Sequence, residues 1–419
     1  MNEQEKYDWH TPEKTLADLT EISTKFSACY EPVVSSDGEK IALPVQNEDN
    51  TWTLCVNGEP WSETFDKLWY HRFSPDGRLS ALVQADDEWT VAVDGVPWDE
   101  KFEYVWNMTF SPNGEHIAAQ IKRDAQFYSM VVDGKAWESN YLSTREFSVD
   151  NNGKVAVTVQ ADPLKEADIF EFMKGVWSLA VNDAIWDKRF VNIYAPRISP
   201  DGEHVAAEVR LDICDYTIAV DEKTWDEKFG CVWEPLYHPD GSVIVPVRAS
   251  GTWTLARDGK LYWERRYAQL WHQKMSPDYN RIAAIASPVF GKWTITVDDQ
   301  PWSVMFDDTV LEPFFSQDSQ RVAAIVKENN RWSIAVDGKP WSETFEMVWN
   351  PVFNPDGKMV AAKVERDGKY SIAINNKVWS RTFENLWGPL FSPDGLNIMV
   401  CVVENGKCYR RIIPVDQIK

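Results

Sequence analysis

The chain repeats itself ten times, and that constrains its fold more than any single motif could. A turn signature, x-Pro-Asp-Gly or a relaxed form of it, stands at Ser36-Asp37-Gly38, Pro75-Asp76-Gly77, Pro112-Asn113-Gly114, Asp150 to Gly153 and Pro200-Asp201-Gly202. It continues at Pro239-Asp240-Gly241, Pro277-Asp278-Tyr279, Gln317-Asp318-Ser319, Pro355-Asp356-Gly357 and Pro393-Asp394-Gly395. Successive copies lie 37 to 40 residues apart except around the fourth. A period near forty with strand-like segments is the size of one propeller blade.

Residues 341–379 show what one copy encodes. Val348 to Asn354 reads as an extended strand a, ended by Pro355-Asp356-Gly357, where proline presets φ and glycine supplies a positive one. Met359 to Glu365 reads as strand b, with a small Ala361-Ala362 pair that permits close packing. Tyr370 to Ile374 is strand c. Asn375-Asn376 is a tight hairpin of the positive-φ kind, and Val378-Trp379 opens strand d. Four antiparallel strands make one blade, so the fold class expected is all-β: a ten-bladed β-propeller forming one ring, with two five-bladed rings as the alternative.

Of 22 tryptophans, 21 fall into three columns of this repeat. The first column opens strand c (Trp52, Trp89, Trp177, Trp253, Trp293, Trp332, with Tyr elsewhere). The second lies nine residues later, from Trp61 and Trp98 through Trp379, with Trp263 one residue late. The third sits in strand a (Trp69, Trp106, Trp233, Trp271, Trp349, Trp387). Periodic indoles are expected to fill the space between blades, because each buries a large apolar area in a specific geometry. The tenth copy lacks a strand d. Ile22-Ser23-Thr24-Lys25-Phe26 aligns with Trp341-Ser342-Glu343-Thr344-Phe345, so residues 22–26 are expected to complete the last blade and leave no open sheet edge. Thr11-Pro12-Glu13 has the order of a helix start, which places a helix over Thr11 to Glu21 in an acidic N-terminal tail, residues 1–21.

The repeat departs most from itself in blade four, where the b–c connection gains about ten residues, Ala161 to Gly175. Pro163 is positioned to start a short helix presenting Leu164, Ala167 and Phe170 or Phe172 on one side. Leu164, Ile169, Phe170, Phe172 and Met173 are therefore the candidate partner-binding residues, with a folded cap over the blade edge as the alternative. The same blade has Ser143-Thr144-Arg145-Glu146-Phe147 in place of a strand a with its aromatic residue.

Little else points to chemistry. A net charge of −22 repels phosphate backbones and anionic lipid surfaces, so nucleic acid is not an expected partner. No run of 18 apolar residues spans a membrane, and the N-terminus has no secretory pattern. The six cysteines (Cys29, Cys55, Cys214, Cys231, Cys401, Cys408) form no C-x-x-C and are read as reduced thiols of a cytoplasmic protein. In a propeller enzyme, strand a would carry the site; its polar residues here are His71, Arg72, Arg197, Glu234, His272, Lys274 and Glu312, scattered and of both signs. His10, His116, His204 and His238 fall in the tail or beside turns. No catalytic, cofactor-binding or metal-binding residue is assigned, and no cofactor is expected.

Ser-Pro-Asn-Gly-Glu-His-Ile-Ala-Ala (Ser111 to Ala119) is similar to the WD40-like propeller repeat of TolB and related proteins, which implies only a fold. Trp-Ser-Ile-Ala-Val-Asp-Gly-Lys-Pro-Trp-Ser-Glu-Thr-Phe (Trp332 to Phe345), recurring with so much tryptophan, resembles the tryptophan-rich D subunit of the Tmc transmembrane electron-transfer complex of sulfate-reducing bacteria. That resemblance implies a cofactor-free docking subunit on the cytoplasmic side, peripheral to the membrane, whose partners are iron–sulfur and membrane subunits. A free-standing cytoplasmic interaction propeller is the second reading. A propeller hydrolase or lactonase is the third.

Overall fold

The computed structural model describes residues 6–164 and 169–418. The chain is an all-β, ten-bladed β-propeller: ten antiparallel sheets follow one another in sequence, each with the order a-b-c-d. Blade three is representative, with strands Tyr104–Phe110, Ile117–Lys122, Tyr128–Val132 and Lys135–Ala136. Its fourth strand is prolonged by a bridge between Tyr128 and Tyr141, and seven other blades repeat that bridge with Phe opposite the aromatic residue. The blades group into two compact units. One comprises Met1–Val45, Cys55–Pro60 and Arg265–Lys419; the other comprises Gln46–Leu54 and Trp61–Glu264.

The turns form for the reasons their residues suggest. In the c–d hairpins two successive residues take positive φ, as at Asp133 (48°) and Gly134 (82°). The first is Asp or Asn because its side chain also bonds the next strand, Oδ1 accepting the N–H of the residue that opens strand b. Nine blades carry that bond, at 2.8–2.9 Å. The Ser of the Ser-Pro-Asp-Gly turn is likewise structural. Ser111 Oγ donates to Asn113 (2.6 Å) and accepts from the His116 N–H (3.0 Å), and Ser392 repeats the arrangement with Asp394 and Asn397.

The tryptophan columns divide the packing. The second column lies between blades: Trp98 of blade two packs on Gly134 of blade three, and Trp302 of blade seven on Gly338 of blade eight. A Cβ at Gly134 would stand 3.2 Å from that indole, so glycine serves both the turn and the fit. The first and third columns also meet within one blade. Trp69 stacks on Trp89 (4.4 Å between centroids) and Trp233 on Trp253 (5.4 Å), while Trp271 meets Trp293 at a tilt of 48° (4.9 Å). Filling between blades holds for the first column as well, since Trp89 shares a core cluster with Val105 and Met108 of blade three, and Trp177 one with Ile193 and Val205 of blade five.

The closing strand differs from the sequence-based expectation. Glu13–Asp18, not residues 22–26, is the fourth strand of blade ten, antiparallel to Lys407–Pro414. The helix α1 covers Leu19–Lys25, not Thr11 to Glu21, and Asp18 caps it by accepting the Glu21 N–H. Charge and burial select this register. Glu13 pairs with Arg411 (2.6 Å) and Asp18 with Lys407 (3.0 Å), while Leu16 and Ala17 enter the core. Arg410, fully buried, is held between Asp8 and Glu39.

Candidate functional site

Strand a has a kink that the sequence pattern does not announce. After the third-column aromatic residue, one residue bulges out in a left-handed conformation: Tyr70 (φ 54°), Asn107 (53°), Ala195 (46°) and His272 (51°). Seven blades shift register at this point. In blades one, six and nine strand a splits in two, at Glu31-Pro32, Glu234-Pro235 and Asn350-Pro351, while blades five, eight and ten keep an unbroken strand a with Pro196, Pro313 and Pro389 at the same place. The bulge turns the following side chains toward the neighbouring blade.

Most of the seven polar strand-a candidates are engaged there. Arg197 of blade five pairs with Glu234 of blade six, its Nε 2.9 Å from the carboxylate. Lys274 of blade seven pairs with Glu312 of blade eight at 2.7 Å. Arg72 donates to the Tyr70 hydroxyl (3.0 Å) and to the Met108 carbonyl of blade three (3.4 Å). Of the seven, the structure brings together Arg197 with Glu234 and Lys274 with Glu312. Among the described residues, no group of three or more His, Cys, Asp or Glu is placed to hold a metal ion. The histidines beside turns have structural partners: His116 Nδ1 meets Asp133 at 2.7 Å and His204 Nδ1 meets Asp221 at 2.6 Å, the latter bond raising the His204 pKa. Within Arg265–Lys419 there is a cleft of about 590 Å³, lined by Met275, Phe314, Phe353 and Leu390 with Lys274 as its charged member.

The blade-four connection contains a six-residue helix, α2 (Ile169–Lys174). Pro163 and Leu164 are not helical, and Ala167 lies outside the described residues. Ile169 is 62% exposed, Phe170 80% and Leu164 41%, whereas Phe172 and Met173 are half-buried. Gly175 (φ 83°) ends the helix against the backbone of Phe190, where a Cβ would stand 2.3 Å away, and Asp162 ties the other end to Arg189. The five candidates thus divide between three exposed side chains and two half-buried ones.

Other exposed features escaped the sequence reading. Trp69, Tyr70 and Tyr104 crowd together on blades two and three, and Val289-Phe290 tips the b–c hairpin of blade seven. The available signal was a large apolar residue outside the packing columns, as at Tyr104 and Phe290. Cations cover several of the first-column rings: Arg145 lies 3.5 Å over Trp177, Lys327 5.0 Å over Trp332, and Lys363 4.3 Å from both Trp349 and Tyr370. Burial lowers the Lys363 ammonium to about 8, which leaves it charged at neutral pH.

No protein-family description matches the sequence, and no curated protein matches it. Solved structures are similar to the chain at low identity. A eukaryotic initiation factor aligns over 92% of this chain and 98% of its own at 11% identity and a TM-score of 0.48. The Dos1 propeller aligns over 97% and 96% at 10% identity and 0.37. TolB of Acinetobacter baumannii aligns over 75% and 79% at 15% identity and 0.31.

Proposed function

We propose that the chain is a non-catalytic protein-interaction scaffold, and that α2 of blade four is a docking element for a protein partner. The observation that carries this is the exposure of Ile169 and Phe170 on the connection that departs most from the repeat. Large apolar side chains exposed together on a connection between strands are a feature of interaction sites. The pairing of Arg197 with Glu234 and of Lys274 with Glu312 supports the non-catalytic part, since it commits four of the polar strand-a candidates to holding neighbouring blades together.

In its finer form the reading makes the partner an iron–sulfur or membrane subunit of an electron-transfer complex, with this chain peripheral to the membrane on the cytoplasmic side. The tryptophan-rich repeat of Trp332 to Phe345 motivates it. No helix among the described residues is long and apolar enough to cross a membrane.

Affinity purification of the tagged full chain from detergent-solubilised membranes of its source cells tests both levels. The scaffold reading expects a stoichiometric partner that Phe170→Glu and Ile169→Glu release, with the melting temperature unchanged. Retention of the partner by both variants would remove α2 from the interface. The finer reading expects haem or iron–sulfur absorption in the captured complex and none in the isolated chain; a captured complex without either chromophore would sink it.

A further inference from the structure

Blades two and three share a continuous aromatic surface. Trp69 stacks on Trp89, Tyr104 meets both edge-on (6.1 and 5.5 Å), Trp106 lies 6.0 Å beyond Tyr104, and Tyr128 closes the row at 5.8 Å. Trp89 is buried, but Trp69 (40%), Tyr70 (45%) and Tyr104 (37%) are exposed. The inner rings fix the outer ones, so their faces are presented to solvent with little rotamer freedom left to lose on binding.

We propose that this surface docks an extended, arginine-bearing segment of a partner protein; the inference rests on the scaffold reading and names a second contact for it. Two observations select the occupant. The first is charge. From Asp66 to Asn107 the chain carries nine carboxylates against four cations, and Asp86, Asp87 and Glu88 stand exposed in the turn leading into Trp89. An anionic segment is repelled there and a cationic one attracted.

The second is internal precedent. The same pair of ring positions holds a cation elsewhere in this chain. In blade four Arg145 itself occupies the third-column position and lies 3.5 Å over Trp177, and in blade nine Lys363 sits 4.3 Å from both Trp349 and Tyr370. In blade two the chain's own cation, Lys67, reaches only to 5.9 Å over Trp89, near the limit of such contacts, and leaves the exposed face of Trp69 to a partner. A planar, weakly hydrated guanidinium suits an indole face better than an ammonium does.

The test is fluorescence anisotropy of a fluorescein-labelled peptide of three Arg-Gly-Gly repeats titrated with the full chain, beside the same peptide with citrulline, which keeps the planar group and removes the charge. The expected results are saturable binding of the arginine peptide, about tenfold weaker binding of the citrulline one, and a loss of about 3- to 10-fold for Trp69→Leu, with Trp69→Tyr within about twofold of wild type. Should Trp69→Leu fail to fold, Glu88→Gln, an exposed change, is expected to weaken binding about two- to threefold and flatten its salt dependence. No binding by wild type, equal binding of citrulline, or no effect of either Trp69→Leu or Glu88→Gln overturns the proposal. If the α2 variants still release a partner while the arginine peptide does not bind, this inference falls and the scaffold reading stands.

Discussion

The Arg145 guanidinium lies 3.5 Å over the Trp177 indole, in the place where Trp69 stacks on Trp89 and Trp233 on Trp253. One blade thus substitutes a cation for an aromatic ring without changing the architecture: Thr144 still pairs with Val159, and the Arg145 carbonyl accepts Gln120 Nε2 of blade three at 2.7 Å. Arg145→Ala is expected to destabilise the protein by about 0.5–2 kcal/mol and Arg145→Trp to restore most of it, since the indole supplies the contact found in the other blades. Urea unfolding of the three proteins checks this, and equal stability of the alanine variant would show the contact to be idle.

Closure of blade ten depends on Arg410. Its side chain is 0% exposed, packs against Gly38 and Cys401, and is held by Asp8 and Glu39. Removing a buried cation from such a set strands its partners and leaves a void, so Arg410→Ala is expected to destabilise by about 3 kcal/mol. The register itself is tested by reversal. Glu13→Arg should loosen the strand Glu13–Asp18, and Glu13→Arg with Arg411→Glu should recover it, read by amide exchange of residues 13–18.

Glycine in the tight turns has two roles, which Gly134 and Gly291 separate. Both have φ near 80°, but a Cβ at Gly134, in a c–d hairpin, would press on Trp98, whereas at Gly291, in a b–c turn, it would meet nothing within 4 Å. Gly291→Ala is expected to cost about 1 kcal/mol for the backbone alone, and Gly134→Ala about 1–2 kcal/mol more. Thermal melts of the two variants give the difference; equal losses would mean that the indole shifts freely.

These contrasts show what the sequence could disclose. Turns were legible because Asp133-Gly134 and Ser111 to Gly114 are local: the φ values and side-chain bonds they need are written in the residues that make them. The second tryptophan column was legible because its spacing to the hairpin glycine recurs. The closing strand was not. In nine blades strand d follows strand c through a two-residue turn, but in blade ten it comes from the other end of the chain, and only long-range pairs such as Glu13–Arg411 fix its register. Likeness of Ile22 to Phe26 to a strand d carries no such information, and a short helix capped by Asp18 occupies that stretch. The strand-a bulge was equally hidden, since Tyr70 and Ala195 are not residues that announce a left-handed conformation. Of the α2 candidates, sequence identified apolar residues in an insertion but could not separate exposed Phe170 from half-buried Phe172, because a six-residue helix is too short for a period to emerge.

Glu208 makes the stability of blades four to six sensitive to pH. It sits in strand b of blade five, 7% exposed, and burial, with a smaller contribution from the Glu146 carboxylate, pushes it up to about 8. In the unfolded chain the same carboxyl titrates near its ordinary 4.5. Between those two values the folded protein holds a proton that the unfolded one has released, so stability falls as pH rises from about 4.5 to about 8 and levels off above. Glu208→Gln keeps the neutral shape and has nothing to titrate. It is expected to match wild type near pH 4.5 and to exceed it by about 2–4 kcal/mol at pH 8. Chemical denaturation across that range measures the gap. A gap that stays constant with pH would mean that Glu208 is already ionised in the folded protein, satisfied by water at its site rather than protonated.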